Sequence, residues 1–325
     1  MKFLNAITPT LAFLATTHAS SLKSLLSHHP KLSILHSLLL QFELLEDFNE
    51  LSNITLLAPT DQAYLDLANW GFNVSQVPTP VARALLSYHV LNGNFDSQTL
   101  SRKPQVIHTY LTPPVLTNVS AGAAVKLHTS SDGTTLTESG LGVVGGVEEA
   151  DLEFDSGVVH TLNSSMVLPH NITLTAGING LTRFLELVEM AGLTEEFEAL
   201  KDVTVFIPTN GALRKVSGLV SLLARRQLAS VLMGHVIPNQ VLYGENLVEG
   251  GVFETMSGRN IRVRKTKEGS FEVDGVEVVK QDVILYGGVA HVIGEALASE
   301  GEEESHNGDG LVYTAQANQL PMPNV

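Results

Sequence analysis

The chain has 325 residues, 44% of them hydrophobic, which is enough to bury a sizeable core and, at this length, suggests two domains rather than one. A formal net charge of -15 argues against nucleic acid as a partner, because phosphate binding needs a basic surface. With no cysteine at all, a disulfide framework, a thiolate nucleophile and zinc-thiolate or iron-sulfur sites are excluded.

At the N-terminus, Lys2 precedes an apolar, threonine-containing stretch, and Thr17-His18-Ala19 before Ser20 places small residues where signal peptidase requires them. Residues 1–19 therefore read as a cleaved signal peptide; the alternative is a short apolar helix of the fold, since Thr8, Pro9, Thr16 and Thr17 dilute the apolar run. Five N-glycosylation sequons, at Asn53, Asn73, Asn118, Asn163 and Asn171, agree with a secretory route. No later segment has the roughly 18 uninterrupted apolar residues of a membrane span, so no integral membrane span is expected.

The next elements occur twice. Leu32, Leu35, Leu38, Leu39 and Phe42 follow helical spacing, as do Leu181, Phe184, Leu187 and Val188, so each copy opens with an amphipathic helix. A short helical turn follows, and then a β-rich run, Ile54 to Leu57 or Val203 to Ile207. Pro59 or Pro208 marks its exit, since proline cannot donate to a strand ladder. Thr60 with Asp61, and Thr209 with Asn210, are residue types whose side-chain oxygens accept from the free N–H groups of a helix's first turn. A further helix leads to Tyr88-His89, or to Gly234-His235. Alternating segments around turn signals follow, VKLHTSSDGTTLT in the first copy and IRVRKTKEGSFEVDGVEVV in the second. Each copy closes on a strand-like run, VVHTLNSSMVLP or VAHVIGEALA.

Residues 32–61 superimpose on 181–210 without a gap, with nine identities. The closing blocks match at a smaller offset, so the first copy carries about 15 extra residues where LTPPVLTNVSAGAA lies. The boundaries are then 20–169 and 170–299, followed by an acidic, proline-containing tail, 300–325, that reads as solvated and lacks the hydrophobic end of a lipid-anchor signal.

These blocks, in this order and in duplicate, resemble the fasciclin (FAS1) domain family, including fungal β-Ig-H3/fasciclin-type proteins. The motifs are TLLAPTDQAY and TVFIPTNGAL, the central Tyr88-His89, and the glycine-to-histidine strands Gly157 to His160 and Gly288 to His291. The resemblance implies an α+β fold: two tandem domains, each a β-wedge or sandwich with packed helices. It also implies non-catalytic binding in adhesion, matrix or cell-wall association, by a protein that is secreted or, alternatively, vacuolar. Fungal members that accompany oxidases and laccases supply the alternative function, an accessory component of a secreted oxidative complex in pigment or polyketide biosynthesis. Partners would then be proteins or glycans, including secreted oxidases. The second copy departs from the pattern at Gly234 and at Leu213, which replaces the aromatic supplied by Tyr64. No Arg-Gly-Asp tripeptide occurs, so integrin binding is not supported.

Candidate chemistry is thin. Asp61 as an acid or base is undercut by Asn210 in its place, an amide that cannot titrate, so capping is the expected role. His89, His160, His235 and His291 are the histidines retained in both copies. Two per copy make a poor metal set, and rings tying strand to helix are expected instead. His28 and His29 read as an exposed loop. GLGVVGG, residues 140–146, reads as a flexible turn, and no nucleophile elbow, phosphate loop or dinucleotide fingerprint is present. Glu148, Glu149, Asp151, Glu153 and Asp155 lack the ligand spacing of a calcium loop and read as a solvated edge. Arg262 and Arg264 alternate with apolar residues, which puts them on a solvent face where they guard a sheet edge or contact anionic glycans. No catalytic residue, cofactor or metal follows from the sequence. All five sequons precede the second copy's opening amphipathic helix.

Overall fold

A computed structural model describes residues 20–266 and 270–297. The proposed signal peptide and the acidic tail lie outside the described residues.

The first domain begins with three helices, α1 (Leu22–His28), α2 (Ser33–Gln41) and α3 (Leu45–Glu50), followed by strand β1 (Ile54–Pro59). Helices α4 (Asp61–Asn69) and α5 (Thr79–Tyr88) lead to β2 (Val90–Asn92) and β3 (Gln105–His108). Strands β4 (Ala124–Thr129), β5 (Thr135–Glu138), β6 (Val144–Phe154) and β7 (Gly157–Leu162) complete it. The second domain repeats the order with α6 (Ile172–Ile178), α7 (Thr182–Ala191), α8 (Thr194–Glu198), β8 (Val203–Pro208), α9 (Asn210–Lys215), α10 (Ser217–Val220) and α11 (Arg225–Met233). Its remaining strands are β9 (Val236–Ile237), β10 (Val252–Glu254), β11 (Asn260–Lys265), β12 (Phe271–Val273), β13 (Val276–Leu285) and β14 (Gly288–Ile293).

Each domain holds a seven-stranded sheet, in the orders β2-β1-β7-β6-β5-β4-β3 and β10-β11-β12-β13-β14-β8-β9. The closing strand lies parallel to the opening one, with β7 on β1 and β14 on β8; the other pairings are antiparallel. Both sheets curl almost shut. Leu91 bridges Thr109 in the first, and the Met256 N–H donates to Val236 O in the second, so the far ends of the strand order meet.

The curl gives each domain two cores, one under the helices and one inside the sheet. β1 serves both by the period-two alternation of a strand: Ile54, Leu56 and Ala58 face the helical core with Leu35, Leu39 and Phe48, while Leu57 faces the sheet interior with Leu91, Leu127 and Leu162. β8 does the same, with Val203, Val205 and Ile207 on the helical side and Phe206 on the other. That is why both runs are buried throughout and apolar except at Thr55 and Thr204, rather than alternating between core and solvent.

The predicted opening helices are α2 and α7, and each is preceded by a helix that periodicity did not reveal, α1 or α6. Two further expectations are corrected. GLGVVGG is not one turn: Gly140–Gly142 form a 3₁₀ turn, and Gly145 and Gly146 pair with Thr137 and Leu136 as the start of β6. β11 is not an edge, because it lies between β10 and β12; Arg262 and Arg264 do project to solvent, but no sheet margin is theirs to guard.

Candidate functional site

Asp61 and Asn210 occupy the first turn of α4 and α9, yet neither caps its own helix. Thr60 and Thr209 do that, accepting from Ala63 N at 3.4 Å and Ala212 N at 3.1 Å. The Asp61 carboxylate instead reaches the start of α2, accepting from Ile34 N at 2.7 Å and from Ser33 Oγ at 2.6 Å. α2 has no side-chain cap of its own, since Leu32 stands at its N-cap. Asn210 repeats this on α7, accepting from Arg183 N at 3.0 Å while its amide donates to Gly180 O at 2.8 Å. Capping is thus the role, but of a helix almost thirty residues earlier in the chain, joined to the strand exit by tertiary packing.

The four retained histidines are spent on backbone. His89 Nδ1 lies 2.9 Å from Leu85 O, and His89 Nε2 accepts from Met166 N at 3.1 Å. His235 repeats both bonds with Val231 O and Leu297 N, at 2.8 and 3.1 Å. These rings need the neutral Nδ1–H tautomer, and burial pushes both imidazoles down to about 4, against the smaller upward pull of the carbonyl each one meets. His160 and His291 use the other tautomer: their Nε2 atoms meet Phe95 O at 2.7 Å and Leu242 O at 2.8 Å, while Nδ1 accepts from Asp151 N and Asp282 N. Burial lowers the His291 pKa, against an upward pull from Asp282.

The second pair of histidines belongs to a clamp that the sequence did not disclose. In the first domain Thr55 Oγ1 accepts from Phe95 N and donates to Gly93 O, His160 holds Phe95 O, and Asp151 accepts from Ser97 N. In the second, Thr204 takes Leu242 N and gives to Gln240 O, His291 holds Leu242 O, and Asp282 accepts from Gly244 N. Both aspartates sit at irregularities in β6 and β13 with positive φ, 60° and 56°. The signal was in the chain: Thr55 and Thr204 are identical in the duplication, and Asp151 and Asp282 share the offset of the closing histidines.

The motif glycines are steric. A Cβ on Gly157 would stand 1.9 Å from Ile54 O, and one on Gly288 1.9 Å from Val203 O, where the parallel strands begin. The aromatic departures are rebuilt. Tyr88 donates to Ala124 O at 2.8 Å; over Gly234 lies the Arg259 stem, whose guanidinium pairs with Asp274. Leu213 fills the place of Tyr64 in its core and avoids burying a hydroxyl without a partner, which Tyr64 does.

The acidic run of β6 is divided among separate partners: Glu148 pairs with Lys31 at 2.8 Å, Glu149 with His29 at 3.1 Å, and Asp151 serves the clamp. The reading of His28 and His29 as an exposed loop holds only in part. His28 ends α1, and His29 is half-buried against β6.

The sequons have unequal surroundings. Asn53 is exposed just before β1, Asn163 is exposed with its carbonyl on Gly146 N, and Asn73 and Asn171 cap helical turns through their oxygens. Asn171 caps α6, so the second domain's first helix follows it directly. Asn118 differs, because it lies in the insertion, and the insertion docks on the second domain. Asn118 N donates to Tyr286 O at 2.8 Å and its side-chain amide to Leu200 O at 3.2 Å, while Ser120 N and Oγ both reach the Asp202 carboxylate at 2.6 Å. Beside this seam Leu116, Leu168, Pro169, His170, Leu174 and Tyr286 line an open cleft of about 420 Å³.

Two copies of an α+β wedge, with every repeated polar motif residue committed to holding backbone, define a tandem-repeat scaffold. The fasciclin domain model matches residues 30–169 and 179–299, and the chain belongs to the fasciclin family. It is 62% identical to the fasciclin-like arabinogalactan protein elcF of Phaeosphaeria nodorum, over 92% of this chain and 95% of that one. It is 39% identical to the fasciclin-like arabinogalactan protein CTB11 of Cercospora beticola, over 91% of this chain and 80% of the other. Among solved structures, a FAS1 domain pair from the insect cell adhesion molecule fasciclin I aligns with 83% of this chain and 97% of its own, at 18% identity and a TM-score of 0.40.

Proposed function

We propose that the protein is a secreted, N-glycosylated, non-catalytic binding protein that acts in cell adhesion, matrix or cell-wall association. The observation that carries this reading is the commitment of Asp61, Asn210 and the four paired histidines to backbone groups in both copies. A buried imidazole with both nitrogens engaged has no proton to offer a substrate. Relatives named as arabinogalactan proteins support a place outside the cell or in its wall.

Protein or glycan partners would meet mainly the second domain. Of the fifteen large apolar side chains most exposed among the described residues, nine lie in it, from Leu174 to Val279. Sequons lie chiefly in the first domain, where attached glycans would cover protein surface. A partner footprint confined to the glycosylated first domain would count against this.

A second reading, accessory to a secreted oxidative system that includes oxidases, is favoured by the junction cleft. Leu116, Leu168, Pro169, Leu174 and Tyr286 give it an apolar wall that suits an aromatic ring, beside the polar His170, Asn171 and Glu198. One experiment separates the two: a deletion strain compared with its parent for adhesion and for secreted small molecules. Lost adhesion with an unchanged metabolite profile supports the first reading, and the converse pattern supports the second.

A further inference from the structure

We propose that the N-glycan of Asn73 lies across Trp70 and Phe72, so that the single tryptophan of the chain is a platform for the protein's own carbohydrate. The inference rests on the secretory reading above, and goes beyond it by assigning what covers this patch.

Trp70 ends α4 and is 90% exposed, and Phe72 is 39% exposed. A free indole on a polar helix end calls for an occupant, because tryptophan is seldom left so open to water. The backbone here is held in place: Gly71 reverses the chain at φ 85°, Gly71 N donates to Ala68 O at 2.9 Å, and Phe72 N to Leu67 O at 3.1 Å. The rings therefore stand on a fixed turn that leads directly into Asn73.

Asn73 is arranged to carry a sugar. Its Oδ1 accepts from Ser75 N at 3.0 Å and from Ser75 Oγ at 2.7 Å, which orients the amide and leaves Nδ2 directed away from these bonds. On transfer, Nδ2 bonds to C1 of N-acetylglucosamine as the bond from C1 to the lipid-linked pyrophosphate breaks. The pyrophosphate leaves with the electron pair, and the amide proton passes to a base of the transferase. Three residues span about 10 Å at most, so the first sugars of the glycan reach both rings. The C–H face of a pyranose is apolar and faintly positive, and it complements the negative face of an aromatic ring.

The second domain provides the contrast. There the stretch between α9 and α11, residues 216–224, holds neither an aromatic residue nor a sequon, so both are lost together. Leu222 remains 81% exposed. A patch that served only protein docking would have no reason to pair its aromatic with a sequon in one copy and drop both in the other.

Because Trp70 is the chain's one tryptophan, its fluorescence reports this site alone. The test uses the full-length protein secreted from a eukaryotic host, with glycopeptide mass spectrometry to read occupancy at Asn73. Wild type is compared with Ser75→Ala, which abolishes the sequon, and with Ser75→Thr, which keeps it. Enzymatic deglycosylation of the folded wild type supplies a second comparison that changes no residue before folding. The proposal expects loss of the glycan, by either route, to red-shift the emission and raise acrylamide quenching toward that of free tryptophan, with Ser75→Thr matching wild type. An occupied Asn73 with unchanged quenching overturns the stacking while leaving the secretory reading intact. An unoccupied Asn73 overturns the proposal and counts against glycosylation of this domain. Shielding that persists without the glycan and grows with protein concentration assigns the patch to a second copy instead, and also overturns it.

Discussion

Asp61 and Asn210 hold the same position with different chemistry, and a hydrogen-bond acceptor is all that the position uses. Asp61→Asn should therefore leave the first domain's unfolding midpoint nearly unchanged. Asp61→Ala should cost about 1 kcal/mol by leaving the start of α2 uncapped, measurable by denaturant unfolding. The buried histidines give a pH dependence of defined sign. The unfolded chain takes up their protons near 6.5 and the folded one only near 4, so their contribution is full above pH 6.5 and is lost as the pH falls toward 4. About 3 kcal/mol is lost at each of His89 and His235, and unfolding midpoints followed from pH 7 to pH 4 should show it. At this scale the duplication made roles legible: an amide opposite a carboxylate argued against proton transfer. Which helix the side chain caps could not be read, because Ile34 and Asp61 meet only in the folded domain.

Among the elements, the parallel pairs β1 with β7 and β8 with β14 leave least room for change. Gly157→Ala would drive a Cβ into the Ile54 carbonyl, where neither strand can yield without breaking the ladder, and should destabilise by about 3 kcal/mol or more. A lowered melting temperature or lost secretion would show it. Gly180→Ala, at a glycine with no atom within 4 Å of its Cβ position, serves as the comparison for backbone strain alone. The strands and the longer helices were legible because β1 and β8 repeat one another, and α2 and α7 carry an apolar stripe. The seven-residue helices α1 and α6 were missed, since helices so short form through tertiary packing and give little periodic signal. The edge role assigned to Arg262 and Arg264 failed for a similar reason: alternation reveals the face of a strand, not its neighbours.

Over the whole molecule, the insertion of the first copy joins the two domains beside a buried apolar contact of Val106 and Ala124 with Val241, Tyr243 and Val289. A falling alignment offset revealed its length, yet nothing local showed that Asn118 and Ser120 would reach Tyr286, Leu200 and Asp202. An Asn118 amide held against the Leu200 carbonyl has little room for a glycan. Glycopeptide analysis of the secreted protein should therefore find Asn118 the least occupied of the five sequons. If the duplicated motifs build the scaffold and the exposed surface makes the functional contacts, a deletion strain complemented at matched secreted levels with Asp61→Asn and, separately, with Leu219→Glu/Leu222→Glu separates the two roles. Asp61→Asn should restore the lost phenotype in full, and the surface variant should not. Failure of Asp61→Asn alongside full rescue by the surface variant would contradict this division of roles.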